Sequence, residues 1–409
     1  MVFLYNLGIY LYTLLIRLAS LKNSKAKAWL TGRNHLLKKI ENEIDAKVRY
    51  TWFHFASLGE FEQGRPVIEH LKAQQAEIHI LITFFSPSGY QICKNYPLAD
   101  HVFYLPVDTA FNAKEFIRLT KPVIAIFTKY EYWYHYFNEL QKNHIPLYII
   151  AAIFRKSEPF FQWYGVLHRI MLRYVAHFFV QNEESVFLLN TLSIYNVTIS
   201  GDTRFDRVAE NSLRPRSFDA IKAFCEDAQV IIAGSTWPED EQMLALLITK
   251  YSNWKLIIAP HEIGEHRIRF IEQLVPSVRY SLLKVNYATS LSSASVLIID
   301  NIGMLSSLYQ YGHIAYIGGG FGSGIHNTLE PAAFGLPILF GPRYHKFQEA
   351  KDMINLGAAF SFSNQAELNL VFNKVAASDY LIKYGQIAKQ YVQNHTGATA
   401  CIVNKLYHI

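Results

Sequence analysis

The chain of 409 residues is long enough for two or three domains of roughly 150 residues each. Apolar residues supply 51% and charged residues 18%, with 21 Gly and 14 Pro, a mix that excludes a disordered or collagen-like chain. The net charge of +6 is too mild and too dispersed for a nucleic-acid tail, so no nucleic-acid partner is expected. It suits an acidic small molecule or an anionic membrane surface better. Cys93, Cys225 and Cys401 are far apart and give neither a disulfide framework nor a zinc-ligand pair, which points to a reducing compartment.

Residues 2–21 read VFLYNLGIYLYTLLIRLASL. The uninterrupted apolar run, 7–16, is shorter than the roughly 20 residues that cross a bilayer. No basic region precedes it and no small-residue cleavage site follows, so a cleaved signal peptide is not expected. Arg17, Lys22, Lys25, Lys27 and Arg33 come next and would hold the following domain at the cytoplasmic side, against anionic headgroups. Tyr5, Tyr10, Tyr12 and Trp29 suit the interfacial zone. Residues 1–30 are therefore expected to form a membrane-associated helix, interfacial or marginally spanning, with a core helix of the first domain as the competing reading.

From residue 48 onward, β-branched and aromatic runs alternate with amphipathic segments. Strands are predicted over 49–56, 78–85, 101–105, 123–127 and 146–153, with helices over 60–74, 87–95, 112–120 and 132–143. A helical stretch over 161–192 and a strand over 196–200 follow. The polar stretch 206–219, which contains Pro215, reads as a linker. The rhythm then restarts, with strands over 230–233, 256–259, 296–299, 314–317 and 337–340 and helices over 238–250, 265–274, 327–334 and 346–356. This β-α-β order predicts an α/β chain of two Rossmann-like, doubly wound domains, 31–210 and 211–409, facing each other across a cleft. The last helix could pack back on the first domain. A ligand is expected at the carboxyl ends of the strands.

Three sequence features carry chemistry. Ser57-Leu58-Gly59-Glu60 follows a strand and opens a helix, with Ser57 placed as an N-cap. Glu60 in the first turn is either a dipole-complementing carboxylate or a general base at the mouth of the sheet. The run Tyr316-Ile-Gly-Gly-Gly-Phe-Gly-Ser-Gly-Ile-His-Asn-Thr-Leu-Glu-Pro331 carries Gly318, Gly319, Gly320, Gly322 and Gly324 between a strand and a helix. Such a loop lets backbone amides approach a phosphate, and its spacing is neither a dinucleotide fingerprint nor a P-loop. Asn327 is placed as a cap, and Glu330 completes a capping box or reaches ribose hydroxyls. Gly234-Ser235-Thr236 and Ala259-Pro260-His261 close two further strands, where hydroxyls and a histidine suit phosphate and base contacts. His261 and His266 stand five apart, so they do not share a helix face as zinc ligands would. Of the cations Lys129, Arg204, Arg207 and Arg343, Arg204 stands out within 201–206, where it could meet developing negative charge.

Together these motifs resemble the 3-deoxy-D-manno-oct-2-ulosonic acid (Kdo) transferases of lipid A assembly, which have the GT-B glycosyltransferase fold. The likeness rests on Ser57-Leu-Gly-Glu60, Glu131-Tyr-Trp133, the 201–206 segment, Gly234-Ser-Thr236 and His326-Asn-Thr-Leu-Glu-Pro331 in that order. It implies that Glu60 deprotonates an acceptor sugar hydroxyl, which attacks the anomeric carbon of CMP-Kdo with inversion and loss of CMP. It places Glu131 and Arg204 near the reacting centre. Donor contacts would come from Ser235, Thr236, Pro260, His261, Ile302, Gly303, Met304, Gly318, Gly319, Gly324, His326, Asn327, Thr328, Leu329 and Glu330. No metal is expected to hold the donor, and the acceptor would be a lipid A precursor at the cytoplasmic face of a bacterial inner membrane. The chain departs from the family pattern at Lys129, where a carboxylate is usual, at Ile325 for a glycine, at Pro260-His261 without an intervening arginine, and at Arg204 for a lysine. The competing readings are another GT-B transferase or epimerase using a UDP-sugar, and a membrane-bound sugar-nucleotide-binding protein without catalysis.

Overall fold

The computed structural model describes residues 1–283 and 294–407. The chain forms two units, Met1–Asp206 with Thr396–Ile409, and Arg207–His395. In the first, β1 (Tyr50–Phe55), β2 (His79–Phe84), β3 (His101–Tyr104), β4 (Ile124–Thr128), β5 (Leu147–Ala152), β6 (His177–Val180) and β7 (Val197–Ile199) form one parallel sheet. Their order is β3-β2-β1-β4-β5-β6-β7. The second unit repeats the plan with β8 (Gln229–Thr236), β9 (Trp254–Pro260), β10 (Val278–Arg279), β11 (Val296–Ile298), β12 (Ile314–Ile317), β13 (Ile338–Phe340) and β14 (Ala359–Ser361). Here the order is β10-β11-β9-β8-β12-β13-β14. Each unit is thus doubly wound, as the alternating pattern predicts.

All six residues of β1 are buried, as in a strand covered on both faces. The two-residue period sends Tyr50 and Trp52 into one core and Phe53 and Phe55 into the other. The second core contains the inner face of the helix Leu58–Gln74, through Phe61, Val67, Ile68 and Leu71. It also contains Ile402 and Val403 of the helix Ala398–Tyr407, which returns to the first unit and packs on the Leu58–Gln74 helix. Asp206 ties down the start of the returning helix, accepting from the amides of Gly397 and Thr399 and from the Thr399 hydroxyl.

Two segments depart from the sequence reading. The expected helical stretch 161–192 is two helices, Val166–Arg173 and Glu183–Thr191, separated by β6. The four-residue strand His-Phe-Phe-Val is too short for its apolar run to stand out against the helical periodicity around it. The expected linker 206–219 instead contains the end of one helix, Thr203–Leu213, and the start of another, Asp219–Cys225. Phe205 and Val208 bury one stripe of the first while its other faces stay polar, which masks the periodicity.

Residues Val2–Ala19 form one helix without a buried residue, so the core-helix reading fails. Its half-covered positions (2, 5, 6, 9, 13 and 16) recur at helical spacing and rest on the first unit. The opposite face exposes Phe3, Leu4, Leu7, Tyr10, Leu11, Leu14, Leu15 and Leu18. Two side-chain bonds dock the helix: the Tyr5 hydroxyl to Asp108 at 2.5 Å, and Asn6 Oδ1 to His135 Nε2 at 2.6 Å.

Candidate active site

Glu60 lies in the first turn of the Leu58–Gln74 helix, directly after β1. Ser57 occupies the N-cap position, yet its hydroxyl makes no cap bond. The Glu60 carboxylate reaches back past the cap instead: Oε2 accepts the Ala56 amide at 2.5 Å, just ahead of the helix. Glu60 is 9% exposed, and its pKa is raised to about 8, first by burial and then by the charge of Glu131. The Ala56 bond and Lys129 oppose the shift and are outweighed. The helix N-terminus therefore does not set this carboxyl's proton affinity; desolvation does.

Glu131 lies in the loop between β4 and the helix Tyr134–Lys142. Its Oε2 accepts from Trp133 Nε1 at 2.8 Å and meets His54 Nε2 at 3.2 Å. The His54 ring is fully buried and lies on the Trp52 side of β1, beside Thr83 of the adjacent β2. The structure thus brings Glu60 and Glu131 into electrostatic contact, as expected, and adds His54. The one local mark of that histidine is a polar residue within an apolar strand.

Arg204 opens the Thr203–Leu213 helix in a cluster on the Leu58–Gln74 helix, one turn beyond Glu60. Its Nε donates to Asp202 Oδ2 at 2.8 Å, and a terminal nitrogen reaches the same oxygen at 2.8 Å. Gln63 Nε2 donates to Asp202 Oδ1 at 3.2 Å, and the Thr203 hydroxyl donates to the Gln63 carbonyl at 2.5 Å. Arg204 is therefore paired within its own segment, a partner that its reading as a cation for developing negative charge did not include.

In the second unit a pocket of about 300 Å³ opens at the carboxyl ends of β8 and β12. Of the expected donor residues, Ser235, Gly303, His326, Asn327 and Glu330 line it, together with Gly234, Leu305, Ser306, Tyr309 and Ile317. Ser235 is turned by a positive φ of 55° at an irregularity in the β8–β9 pairing. Gly318 must be glycine, because a Cβ there would lie 2.3 Å from the Ser235 carbonyl oxygen. The Gly319 amide donates to Asp240 Oδ2, and Gly324, at φ +132°, packs on Phe347. The Asn327 side chain caps the amide of Leu329, the first residue of the helix Leu329–Ala333. Burial raises the Glu330 pKa against the opposing pull of Arg207.

Other expected donor residues support the pocket or lie apart from it. The Thr236 hydroxyl is buried and donates to Glu241 at 2.9 Å, so it is committed within the protein. Pro260 ends β9 in the interior, and Met304, Thr328 and Leu329 are buried behind the lining. The Ile302 side chain is 87% exposed and takes no part in the lining. The His261 ring stacks on both Trp237 and His326, with ring centroids 4.9 and 4.6 Å away. Trp237 Nε1 donates to His326 Nε2 at 3.2 Å. An indole N–H can only donate, so neutral His326 carries its proton on Nδ1. Among the described residues, no group of three His, Cys, Asp or Glu is arranged to hold a metal ion.

Two doubly wound units, with a pocket at the strand ends of the second, give this chain the architecture of the GT-B fold. UDP-GlcNAc 2-epimerase from Neisseria meningitidis superposes with a TM-score of 0.63 at 17% identity, covering 88% of this chain and 100% of that one. Acinetobacter baumannii MurG superposes with a TM-score of 0.55 at 13% identity, over 88% and 100% of the two chains. Residues 29–207 match the family described as 3-deoxy-D-manno-octulosonic-acid transferase (kdotransferase). The 3-deoxy-D-manno-octulosonic acid transferase of Aquifex aeolicus is 26% identical over 324 residues, 78% of this chain and 83% of that one. Its Rickettsia bellii counterpart is 27% identical over 327 residues, 78% and 77% of the two chains. The chain is thus similar to 3-deoxy-D-manno-octulosonic acid transferases over 78% of its length.

Proposed function

We propose that this protein transfers Kdo from CMP-Kdo to a lipid A precursor, with inversion at the anomeric carbon. The observation that carries the reading is Glu60, a buried carboxyl raised to about 8, where a base can accept a proton near neutral pH. In the proposed step Glu60 takes the proton of an acceptor hydroxyl. That oxygen bonds to the anomeric carbon, and the bond from this carbon to the CMP phosphate oxygen breaks, its electron pair leaving with CMP. A single displacement of this kind inverts configuration. Glu131 and Arg204, the latter steered by Asp202, flank the base and complete the set proposed to stabilise the transition state.

The donor is assigned to the second-unit pocket, with Ser235, His326 and Asn327 offered to its charged groups, since the amides of Gly318, Gly319, Gly322 and Gly324 are bonded within the protein. This reading calls for no metal. The Val2–Ala19 helix is assigned to the cytoplasmic face of a bacterial inner membrane, lying in the interface. Its 18 residues span about 27 Å, short of a hydrocarbon core of about 30 Å, and one side is bonded to the protein. The exposed leucines of the other side would enter the acyl boundary, where the lipid acceptor resides.

The test incubates purified protein with CMP-Kdo, generated in place, and tetra-acylated lipid A precursor, and reads the product mass. A gain of whole Kdo units is expected, with inhibition by CMP rather than UDP. Glu60→Ala should lower turnover by roughly 10²- to 10⁴-fold with donor affinity little changed. No mass gain with fresh donor, or full turnover by Glu60→Ala, overturns the reading.

A further inference from the structure

The network behind Glu131 runs through four buried or half-buried side chains. Trp52 Nε1 donates to Thr83 Oγ1 at 2.8 Å, and Thr83 Oγ1 lies 2.8 Å from His54 Nδ1. Because the indole can only donate, Thr83 oxygen accepts there and its own proton is left for another acceptor. The candidates are His54 Nδ1 at 2.8 Å and the Phe53 carbonyl at 3.5 Å, and the shorter contact decides for the imidazole. Neutral His54 then carries its remaining proton on Nε2, 3.2 Å from Glu131 Oε2. With Trp133 donating to the same oxygen, one side of the Glu131 carboxylate is held by two N–H groups.

We propose that His54 is a positioning residue: the Trp52–Thr83 relay locks it as the Nε2–H tautomer, in which it fixes Glu131 as a charged neighbour of Glu60. This rests on the reading of Glu60 as the base. The groups that act on Glu131 or share its field are His54 from β1, Glu60 from the following helix, Lys129 and Trp133 from its own loop, and Tyr5 and Tyr12 from the N-terminal helix. Among the described residues, His54 and Trp133 bond to Glu131, and of these two His54 is the one held by the Trp52–Thr83 relay. Loss of the His54 donor leaves Glu131 freer to turn away from Glu60. Glu60 then faces less negative charge and ionises at lower pH.

The test measures kcat/KM against pH for His54→Leu and His54→Gln. The leucine variant is expected to lose roughly tenfold in kcat, with the acidic limb of the profile moving down by about one pH unit. The glutamine amide can still donate to Glu131, so this variant should recover the wild-type limb. Glu131→Gln should move the limb as His54→Leu does, and the double variant should be no worse than either single one. An unmoved limb in His54→Leu, a glutamine variant as impaired as the leucine one, or additive losses in the double variant would overturn the assignment. If His54→Leu does not fold, Glu131→Gln set against His54→Gln decides it: the limb must move in the first and not in the second. Loss of turnover in Glu60→Ala alongside an unmoved limb overturns only the role of His54, whereas full turnover in Glu60→Ala overturns the base itself.

Discussion

Tyr5 and Asp108 stand 103 residues apart in the chain, and the phenol of the first donates to the carboxylate of the second at 2.5 Å. Asp108 is 3% exposed and also accepts the amides of His135 and Tyr136, both at 3.2 Å. Burial pushes its pKa up to about 6, with these three donors pulling the other way. The exposed apolar helix Val2–Ala19 is thus fastened to the first unit through a buried carboxylate.

Tyr5→Phe removes one of those donors and should destabilise the first unit by about 1–3 kcal/mol. The penalty has a defined pH dependence. The lost donor favoured the ionised carboxylate, so the effect should be full above pH 7 and shrink below pH 5, where Asp108 is protonated with or without it. Denaturation midpoints at pH 5 and pH 8 check this. Equal losses at both would contradict it.

Leu11→Glu combined with Leu15→Glu places two carboxylates on the exposed apolar face of the same helix, which makes no core contact. Flotation with anionic vesicles should fall severalfold while the melting temperature stays within a few degrees. Unchanged flotation would remove that face from the membrane.

Glu60 binds its proton more tightly in the folded chain than in the unfolded one. Its contribution to stability is therefore full below the ordinary carboxyl pKa and is lost as pH rises through about 8. Glu60→Gln should leave stability nearly unchanged at pH 4.5 and raise it by roughly a few kcal/mol at pH 9. The kcat/KM of the wild-type protein should rise with pH to a midpoint near 8, because only the ionised form accepts a proton. A pH-independent gain in stability would show that Glu60 is not desolvated.

Trp237→Phe keeps a ring against His261 and removes the donor that fixes the His326 tautomer. CMP should bind roughly fivefold more weakly, equivalent to about 1 kcal/mol, with no loss of fold. Calorimetric titration decides it, and an unchanged affinity would strip Trp237 of any part in the pocket.

Gly318→Ala drives a methyl group to 2.3 Å from the Ser235 carbonyl oxygen and 2.6 Å from Thr236 Cα, both backbone atoms that cannot swing away. Overpacking of this sort costs about 1–3 kcal/mol and should displace Ser235 from the pocket. A lower melting temperature together with CMP affinity reduced tenfold or more is expected. Wild-type binding in this variant would show that the loop has room to spare.

The two sheets were legible because strands covered on both faces read as continuous apolar runs, as in β1 and β5. So were Glu60 and the glycine loop, since each lies where a strand gives way to a helix. What sequence could not show depends on pairs far apart in the chain. Trp237 meets His326 across 89 positions, and His54 meets Glu131 across 77. A histidine inside an apolar strand has no local signature of the relay that sets its tautomer. Ser57 misled for a different reason: it holds the cap position without a side-chain cap bond, while Glu60 three residues on reaches back to the Ala56 amide ahead of the helix. Ile302, read as a donor contact from its motif, turns its side chain to solvent because Gly303 at φ +90° redirects the chain there.

The helix Ala398–Tyr407 leaves the ribosome after the whole of the second unit, yet Ile402 and Val403 fill the core beneath the Glu60 helix. During synthesis the first unit must wait, partly open, through some two hundred residues of translation before its last piece arrives. Deleting that segment would therefore injure the half of the molecule made earliest and spare the half made immediately before it.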